Sequence, residues 1–409
     1  MPQLMALPNL TRQVWILAAG RLMLQVGTGF ILFIAPIFFV EDVGLSATLV
    51  GIGLGSASVS GMLGRFWGGN WTDQPSWGRR NTLLLAAGIS AIADIPLALT
   101  NGFPLLVIGQ LLAGLGMGLY WPPAEAAIAD LVQGPSLNEA FAINRLADSL
   151  GLSIGVASGG TLISLGLNHR WLFVLDGISF AVFFAIIWLF VPETANFQNY
   201  SPQLAKTPPL SLLGDRQLLL FIAANVVFTM FISQTQSILP LFWRKYVPSG
   251  ASLSESALSW LFTWQIILSV VIQIPVVRLL QRFTHTRSLL LSLGFWVVGF
   301  LSVWSTGFTD NLLAGSILSV SIFAIANVSY TPSASALIAK LAPLELRGIY
   351  FAWYSQCWAA GYLLGPVLGG WALDQGSGSI YWLILSTASL VPLLTLRTLA
   401  ELNCDTPHI

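Results

Sequence analysis

The stretch YWPPAEAAIADL, residues 120–131, returns as YTPSASALIAKL at residues 330–341, an offset of 210. Without a gap, Tyr120/Tyr330, Pro122/Pro332, Ala124/Ala334, Ala126/Ala336, Ile128/Ile338, Ala129/Ala339 and Leu131/Leu341 coincide. The register persists through Phe141/Phe351 and Ala142/Ala352 and ends on Gly151/Gly361, Gly155/Gly365, Gly159/Gly369 and Gly160/Gly370. Common apolar residues match by chance, but four glycines in step across two segments and their loop are harder to obtain that way. The chain reads as a duplicated unit, and the size of that unit sets the fold.

Of the 409 residues, 55% are hydrophobic and 8% are charged, whereas a soluble domain carries about 25% charged residues. Apolar runs of around 20 residues recur throughout, enough to cross about 30 Å of hydrocarbon as helix. Backbone amides in lipid must be bonded within the segment, and the runs lack the alternation of barrel strands, so helices are expected. Turn residues and polar clusters place spans at 13–40, 46–67, 81–100, 103–132, 139–164 and 171–191, then at 216–243, 254–280, 288–307, 311–341, 348–373 and 380–398. A polar, proline-bearing segment over 193–217 separates the sixth span from the seventh. The expectation is an all-α membrane protein of twelve transmembrane helices in two pseudo-symmetric six-helix bundles. Residues 1–192 form the first bundle, 193–215 a cytoplasmic linker, and 216–409 the second.

Cationic residues orient the spans. With the N-terminus inside, Arg12, Arg65, Arg79, Arg80, Lys206, Arg216, Arg278, Arg282, Arg287, Lys340, Arg347 and Arg397 all face the cytoplasm. Only Arg170, Arg244 and Lys245 face outside, and Arg21 and Arg145 lie within spans. Both termini are expected to be cytoplasmic, in an inner or plasma membrane. The N-terminus lacks a cleavable-signal pattern, so the first apolar run is expected to stay as a span. Zero formal charge offers no case for a nucleic-acid partner. Cys357 and Cys404 form no disulfide framework, and the scattered His169, His285 and His408 give no metal site. No cofactor is expected, and the absence of a P-loop motif excludes ATP as the energy source in this chain.

Spacing of four puts Gly151, Gly155 and Gly159 on one face of span 5, and Gly361, Gly365 and Gly369 on one face of span 11. Small residues at that spacing let helix backbones approach closely in lipid. The loop GGNWTDQPSWGRR, residues 68–80, gathers an acid and two arginines between two apolar spans.

Twelve spans, a six-plus-six repeat and this 2–3 loop resemble the major facilitator superfamily over the whole chain. The family loop reads G-x-x-x-D-R-x-G-R-R; Gly69 to Asp73 match its first part and Gly78-Arg79-Arg80 its last. Gln74-Pro75-Ser76-Trp77 stand between them, two residues longer than the family spacer. The resemblance implies a cytoplasmic latch built from Gly69, Asp73, Gly78, Arg79 and Arg80, with Asp130 at the inner end of span 4. A second motif, G-x-x-x-G-P-x-x-G-G, resembles that of drug–proton antiporters. Span 11 has it complete with Pro366, as GYLLGPVLGG, while span 5 reads GLSIGVASGG with Val156 where proline belongs. The antiporter arginine of span 4 is absent, and Gln110 stands at its place.

Ionisable residues at membrane depth are functional candidates by default. Arg21 lies roughly 12 Å into span 1, and Glu125 about 7 Å from Asp130 on span 4. Arg145 and Asp148 enter span 5 by roughly 10–15 Å and are i,i+3 neighbours able to pair. The repeat places Ser335, Ser355 and Trp358 opposite Glu125, Arg145 and Asp148, so the cluster belongs to the first half alone. Glu125 with Arg21 is the candidate titrating carboxylate of a proton-coupled cycle; a permanent ion-pair network fits the same residues. Asp94 on span 3 is a second candidate. The family's cavity-lining spans are 1, 4, 7 and 10, which makes Gln25, Gln110, Tyr120, Gln234, Gln236, Asn327 and Tyr330 substrate-contact candidates; interhelical hydrogen bonding is their other reading. Pro122-Pro123 and Pro332 are expected to break spans 4 and 10 at matching positions.

The expected function is secondary transport of a small molecule by a monomer in the bilayer, as proton-driven export of organic or amphipathic compounds. An importer or facilitator in the same fold is the first alternative. A membrane sensor or intramembrane enzyme is a remote one, since neither a soluble module nor a catalytic pair is visible.

Overall fold

The computed structural model describes residues 10–72, 74, 76–132, 136–194, 214–280, 282–309, 311–342 and 347–404. Helices account for nearly all of them: α1 (Arg12–Leu32), α2 (Ala35–Glu41), α3 (Ala47–Thr72), α4 (Gly78–Ala98), α5 (Phe103–Leu131), α6 (Ser136–Ser164) and α7 (Arg170–Phe190). There follow α8 (Arg216–Leu241), a π-turn over Phe242–Tyr246, α9 (Glu255–Leu280), α10 (His285–Thr306), α11 (Leu312–Leu341), α12 (Arg347–Asp374), α13 (Gly378–Ala388) and α14 (Leu390–Cys404). Eleven helical segments among the described residues are long and apolar enough to span a membrane, and α12 adds a further helix of 28 residues. Large apolar side chains such as Ile92, Ile95, Trp188, Leu189 and Val271 stand exposed along these helices. On a multi-pass membrane protein that surface is solvated by lipid.

Two expected spans are each divided in two, for one reason. Proline has no amide to donate to the carbonyl four residues back. Pro36 therefore leaves the Leu32 carbonyl without its helical partner, and α1 ends at Leu32. Pro392 does the same to Ala388, where α13 ends. Pro122, Pro123 and Pro332 behave differently. The expected breaks do not occur: α5 runs through its two prolines to Leu131, and α11 runs through Pro332 to Leu341. Both helices end at repeat-equivalent residues, and so do α6 at Ser164 and α12 at Asp374.

The chain separates into two compact units, one of residues 1–34 and 56–201, the other of residues 35–55 and 202–409. The expected linker at 193–215 lies for the most part outside the described residues. In the first unit α1 packs on α6 and α7, and α4 on α5 and α7. The second unit repeats this scheme, α8 packing on α12 and α14, and α10 on α11 and α13.

Glycine governs the close crossings. A Cβ on Gly155 would overlap the Val26 carbonyl and lie 2.8 Å from Gly29 Cα. One on Gly159 would stand 2.9 Å from the Phe30 carbonyl, and one on Gly151 would press on the Leu22 carbonyl. In the second unit Gly361, Gly365 and Gly369 meet Thr229, Ser233, Gln234 and Ile238 of α8, and Pro366 turns its carbonyl toward Gly51. A third seam escaped the spacing argument: Gly61, Gly64 and Gly68 of α3 lie against Gly114, Leu115, Gly118 and Leu119 of α5.

In the second unit the N-terminus of α3 is bound by the last residue of α12. Asp374 accepts from the backbone N–H groups of Ala47 (2.9 Å) and Thr48 (2.7 Å) and from Thr48 Oγ1 (2.6 Å). Unsatisfied amides at a helix start favour such a carboxylate. Asp374→Ala is expected to lower stability by about 1–2 kcal/mol, read as a lower thermal midpoint of the purified protein; an unchanged midpoint counts against a stabilising cap.

Candidate functional site

Three helices of the first unit bring charge together inside the span. On α1, Arg21 follows Leu17 and Gly20 on the buried face and is itself only 3% exposed. Its guanidinium forks onto Asp148 of α6, Nε donating to Oδ1 at 3.0 Å and Nη2 donating to Oδ2. Nη1 reaches Glu125 Oε1 of α5 at 3.4 Å. The guanidinium carbon also sits 5.4 Å from the Trp121 ring centroid, within range of a cation–π attraction. Tyr120 packs edge-on against Trp121 and Phe183, closing that side with apolar surface.

The glycine seam makes this geometry possible. Gly151 lies one turn beyond Asp148 and rests on the Leu22 carbonyl, beside Arg21. Close approach of α6 to α1 therefore delivers the carboxylate to the guanidinium. The two acids are held differently. Asp148 is 13% exposed and bidentate; Glu125 is 34% exposed and makes one longer contact. Arginine keeps its charge in proteins, so a cluster with both acids ionised carries one negative charge in excess. Adding a proton neutralises it.

The expected Arg145–Asp148 pair does not form. Arg145 is exposed on α6, and Asp148 is taken by Arg21. Leaving the buried Arg21 without its acid would strand an uncompensated charge, a cost greater than that of leaving an exposed arginine in place. Asp94 also stands apart from the cluster, on the face of α4 that packs against α7.

The substrate-contact candidates divide by exposure. Gln25, Gln110, Gln236 and Asn327 are half-buried, and Gln236 accepts from Tyr362 Oη at 2.7 Å. Tyr120, Gln234 and Tyr330 occupy interior positions. Gln234 donates to the Gly365 carbonyl and to Tyr381 Oη, while Tyr330 donates to Asn225 Oδ1 at 2.8 Å and stacks on Phe228. The Gln234 amide nitrogen and the Tyr330 hydroxyl are thus taken up by interhelical bonds, while Gln234 Oε1 is buried without a partner.

Where α3 gives way to α4 in the first unit, Arg79 pairs with Asp130 (2.9 Å) and donates to the Thr72 carbonyl (2.7 Å). Arg80 donates to the Trp188 carbonyl at 2.7 Å. Glu193 accepts from the backbone N–H groups of Arg79 and Arg80 at 3.0 and 3.1 Å. Gly78 has φ +79°, and a Cβ there would run into the Glu193 carboxylate. Glu193 escaped the sequence reading because it fell in the expected linker, although a helix start beginning Gly-Arg-Arg calls for an acceptor. Gly69 has open space around it, and Asp73 lies outside the described residues. The longer loop is accommodated by a turn: Trp77 and Gly78 donate to the Gln74 carbonyl, and the Trp77 ring packs 6.2 Å from that of Trp71.

Comparison with known proteins agrees with this architecture. The family model described as "Major Facilitator Superfamily" matches residues 17–247 and 248–402. An uncharacterized MFS-type transporter, YhjO of Bacillus subtilis (strain 168), is 26% identical over 79% of this chain and 78% of its own. Multidrug resistance protein MdtH of Salmonella typhimurium (strain LT2) is 25% identical over 91% of both chains. Among solved structures, nucleoside transporter NupG superposes with a TM-score of 0.81 at 14% identity, over 96% of this chain and 100% of its own. A D-xylose–proton symporter superposes with a TM-score of 0.74 at 17% identity, over 93% and 96%. At those identities the superpositions establish the fold alone.

Proposed function

The chain belongs to the Major Facilitator Superfamily, and from that premise we propose that this transporter exports small organic or amphipathic compounds in exchange for protons. The unit of transport is a monomer in an inner or plasma membrane, with both termini cytoplasmic, working by alternating access. The observation that carries the reading is the asymmetric hold of Arg21 on its two acids. Asp148 is locked in a bidentate pair, whereas Glu125 keeps a single 3.4 Å contact and a third of its surface open. Glu125 is then the carboxylate that accepts the coupling proton, and its release from Arg21 changes the charge that joins α5 to α1. Export as the direction is supported by the likeness to proteins named for multidrug resistance. Half-buried Gln25, Gln110, Gln236 and Asn327 supply neutral donors and acceptors suited to an uncharged or amphipathic solute. The latch role of Arg79, Arg80 and Asp130 belongs to the same proposal; Glu193 joins it by bonding the start of α4.

The test is purified protein in liposomes, with an imposed pH gradient and a solute panel. Wild type is expected to drive solute flux with the gradient, and Glu125→Gln to lose that response by about a hundredfold or more, the range over which a positioned acid–base group acts in other proteins. Solute exchange without a gradient should persist in the variant. Flux indifferent to the gradient in wild type would remove proton antiport and leave a facilitator.

A further inference from the structure

A second pair of acids is buried in the first unit, away from Arg21. Asp94 of α4 is 5% exposed and Asp176 of α7 is 3% exposed. Their helices pack together, and a Cβ on Gly177 would stand 3.3 Å from Asp94 Cβ and 3.5 Å from Asp94 Oδ2. Asp176 Oδ1 points the other way, into the space left by Gly27 of α1, and accepts from Ser179 Oγ at 3.3 Å. Asp94 Oδ2 is buried with no hydrogen-bond partner. A carboxylate oxygen so placed, beside a second buried acid, calls for something between them.

No cation pairs with either acid among the described residues. Arg170, at the start of α7, is the cation nearest in sequence, and it donates to the Ala98 and Thr100 carbonyls and to Asn101 Oδ1. His169 precedes it at the helix end. On α1, Arg21 lies six residues from Gly27, about 9 Å along the helix, and is committed to Asp148 and Glu125. On α4, Arg79 and Arg80 sit at the opposite end of the helix. On α5, which packs on the other flank of α4, Gly109 meets Leu97 and the Ala93 carbonyl, while Glu125 and Asp130 lie more than four turns further along. Two ionised carboxylates cannot share a dry, uncompensated site, so one of them must be neutral.

We infer that Asp94 and Asp176 form a proton-binding site at the α4–α7 seam, one of the two carboxyl groups keeping its proton in the folded protein. A proton on Asp94 removes the charge from its orphaned oxygen and leaves Asp176 as the acid that Ser179 supports. The site is separate from Glu125, and its existence does not depend on the coupling role proposed for that residue.

Infrared spectroscopy on the full-length protein in lipid at neutral pH tests this. A protonated-carboxyl C=O band that shifts in deuterium oxide is expected in wild type, and Asp94→Asn/Asp176→Asn should lose a component of it. The same band in both proteins would overturn the site. Asp94→Asn alone keeps the shape and should fold, so it serves if the double variant does not. The unfolded acids release the proton that the folded pair retains, so raising the pH disfavours folding. The wild-type thermal midpoint should therefore fall from about pH 6 to about pH 9, more steeply than that of Asp94→Asn; equal slopes would overturn the proposal. Neither readout measures transport, so loss of proton-driven flux in Glu125→Gln stands or falls separately.

Discussion

Arg21→Met is expected to leave a protein that is poorly folded and does not transport. Arg21 is buried and holds two acids from two other helices. Removing one partner of a buried charge pair typically costs about 3–5 kcal/mol, because the other partner is left uncompensated. Here the residue left behind is Asp148, 13% exposed and without its bidentate donor. The prediction has an internal control. Asp148→Asn removes the stranded charge, so Arg21→Met/Asp148→Asn should recover part of the stability lost in Arg21→Met, and the double-mutant cycle should give a coupling energy of at least about 1 kcal/mol. Arg21→Lys should fall between, because an ammonium lacks the planar fork that reaches both oxygens of Asp148. Thermal midpoints of the four proteins decide the matter; additive losses would mean that the pair contributes nothing as a pair.

Gly155→Leu should remove folded, monodisperse protein altogether, and Gly155→Ala should lower stability by about 1–3 kcal/mol. The reason is that the obstacle is backbone. A Cβ on Gly155 meets the Val26 carbonyl and Gly29 Cα, neither of which can rotate away. Separating α6 from α1 to make room would also draw Asp148 away from Arg21, so the packing cost and the electrostatic cost add. Gly88→Ala is the control: a Cβ there lies 4.0 Å from Phe184, in ordinary contact. Helix propensity then makes that change neutral or favourable by up to about 1 kcal/mol. Size-exclusion profiles and thermal midpoints of the two alanine variants should move in opposite directions. Equal behaviour would mean that the seam tolerates a methyl group.

Much of the fold was legible because the membrane leaves a chain few choices. Long apolar runs must be helices when no water reaches the backbone, and a repeat held at one offset from Tyr120 to Gly160 carries its partners with it. The ends of α5 and α11, and of α6 and α12, fall at that offset in the structure. Proline was read less well. Pro36 and Pro392 end helices while Pro122, Pro123 and Pro332 do not, and a missing amide has the same local consequence at all five. Burial does not separate them: Pro36 is as buried as Pro123, and Pro122 and Pro332 are only half-buried.

The site divides along the same line. Sequence by itself marked Arg21, Asp94, Glu125, Arg145 and Asp148 as charge at depth, since each stands out among apolar neighbours. It also determined which glycines lie on one helical face. Tertiary structure alone decided the pairing. Arg145 and Asp148 share a helix and seemed natural partners, yet Asp148 belongs to Arg21 across 127 positions of chain. Asp176 belongs to no motif, and only the packing of α7 on α4 and α1 sets it near Asp94 and the gap at Gly27. Gln234 and Tyr330 lie on the spans expected to face a solute, yet the Gln234 amide nitrogen and the Tyr330 hydroxyl are bonded inside the second unit. Composition and periodicity say what must leave water. Which group answers a buried charge depends on the rotation of one helix against another, and that rotation is set by glycine contacts that no local pattern specifies.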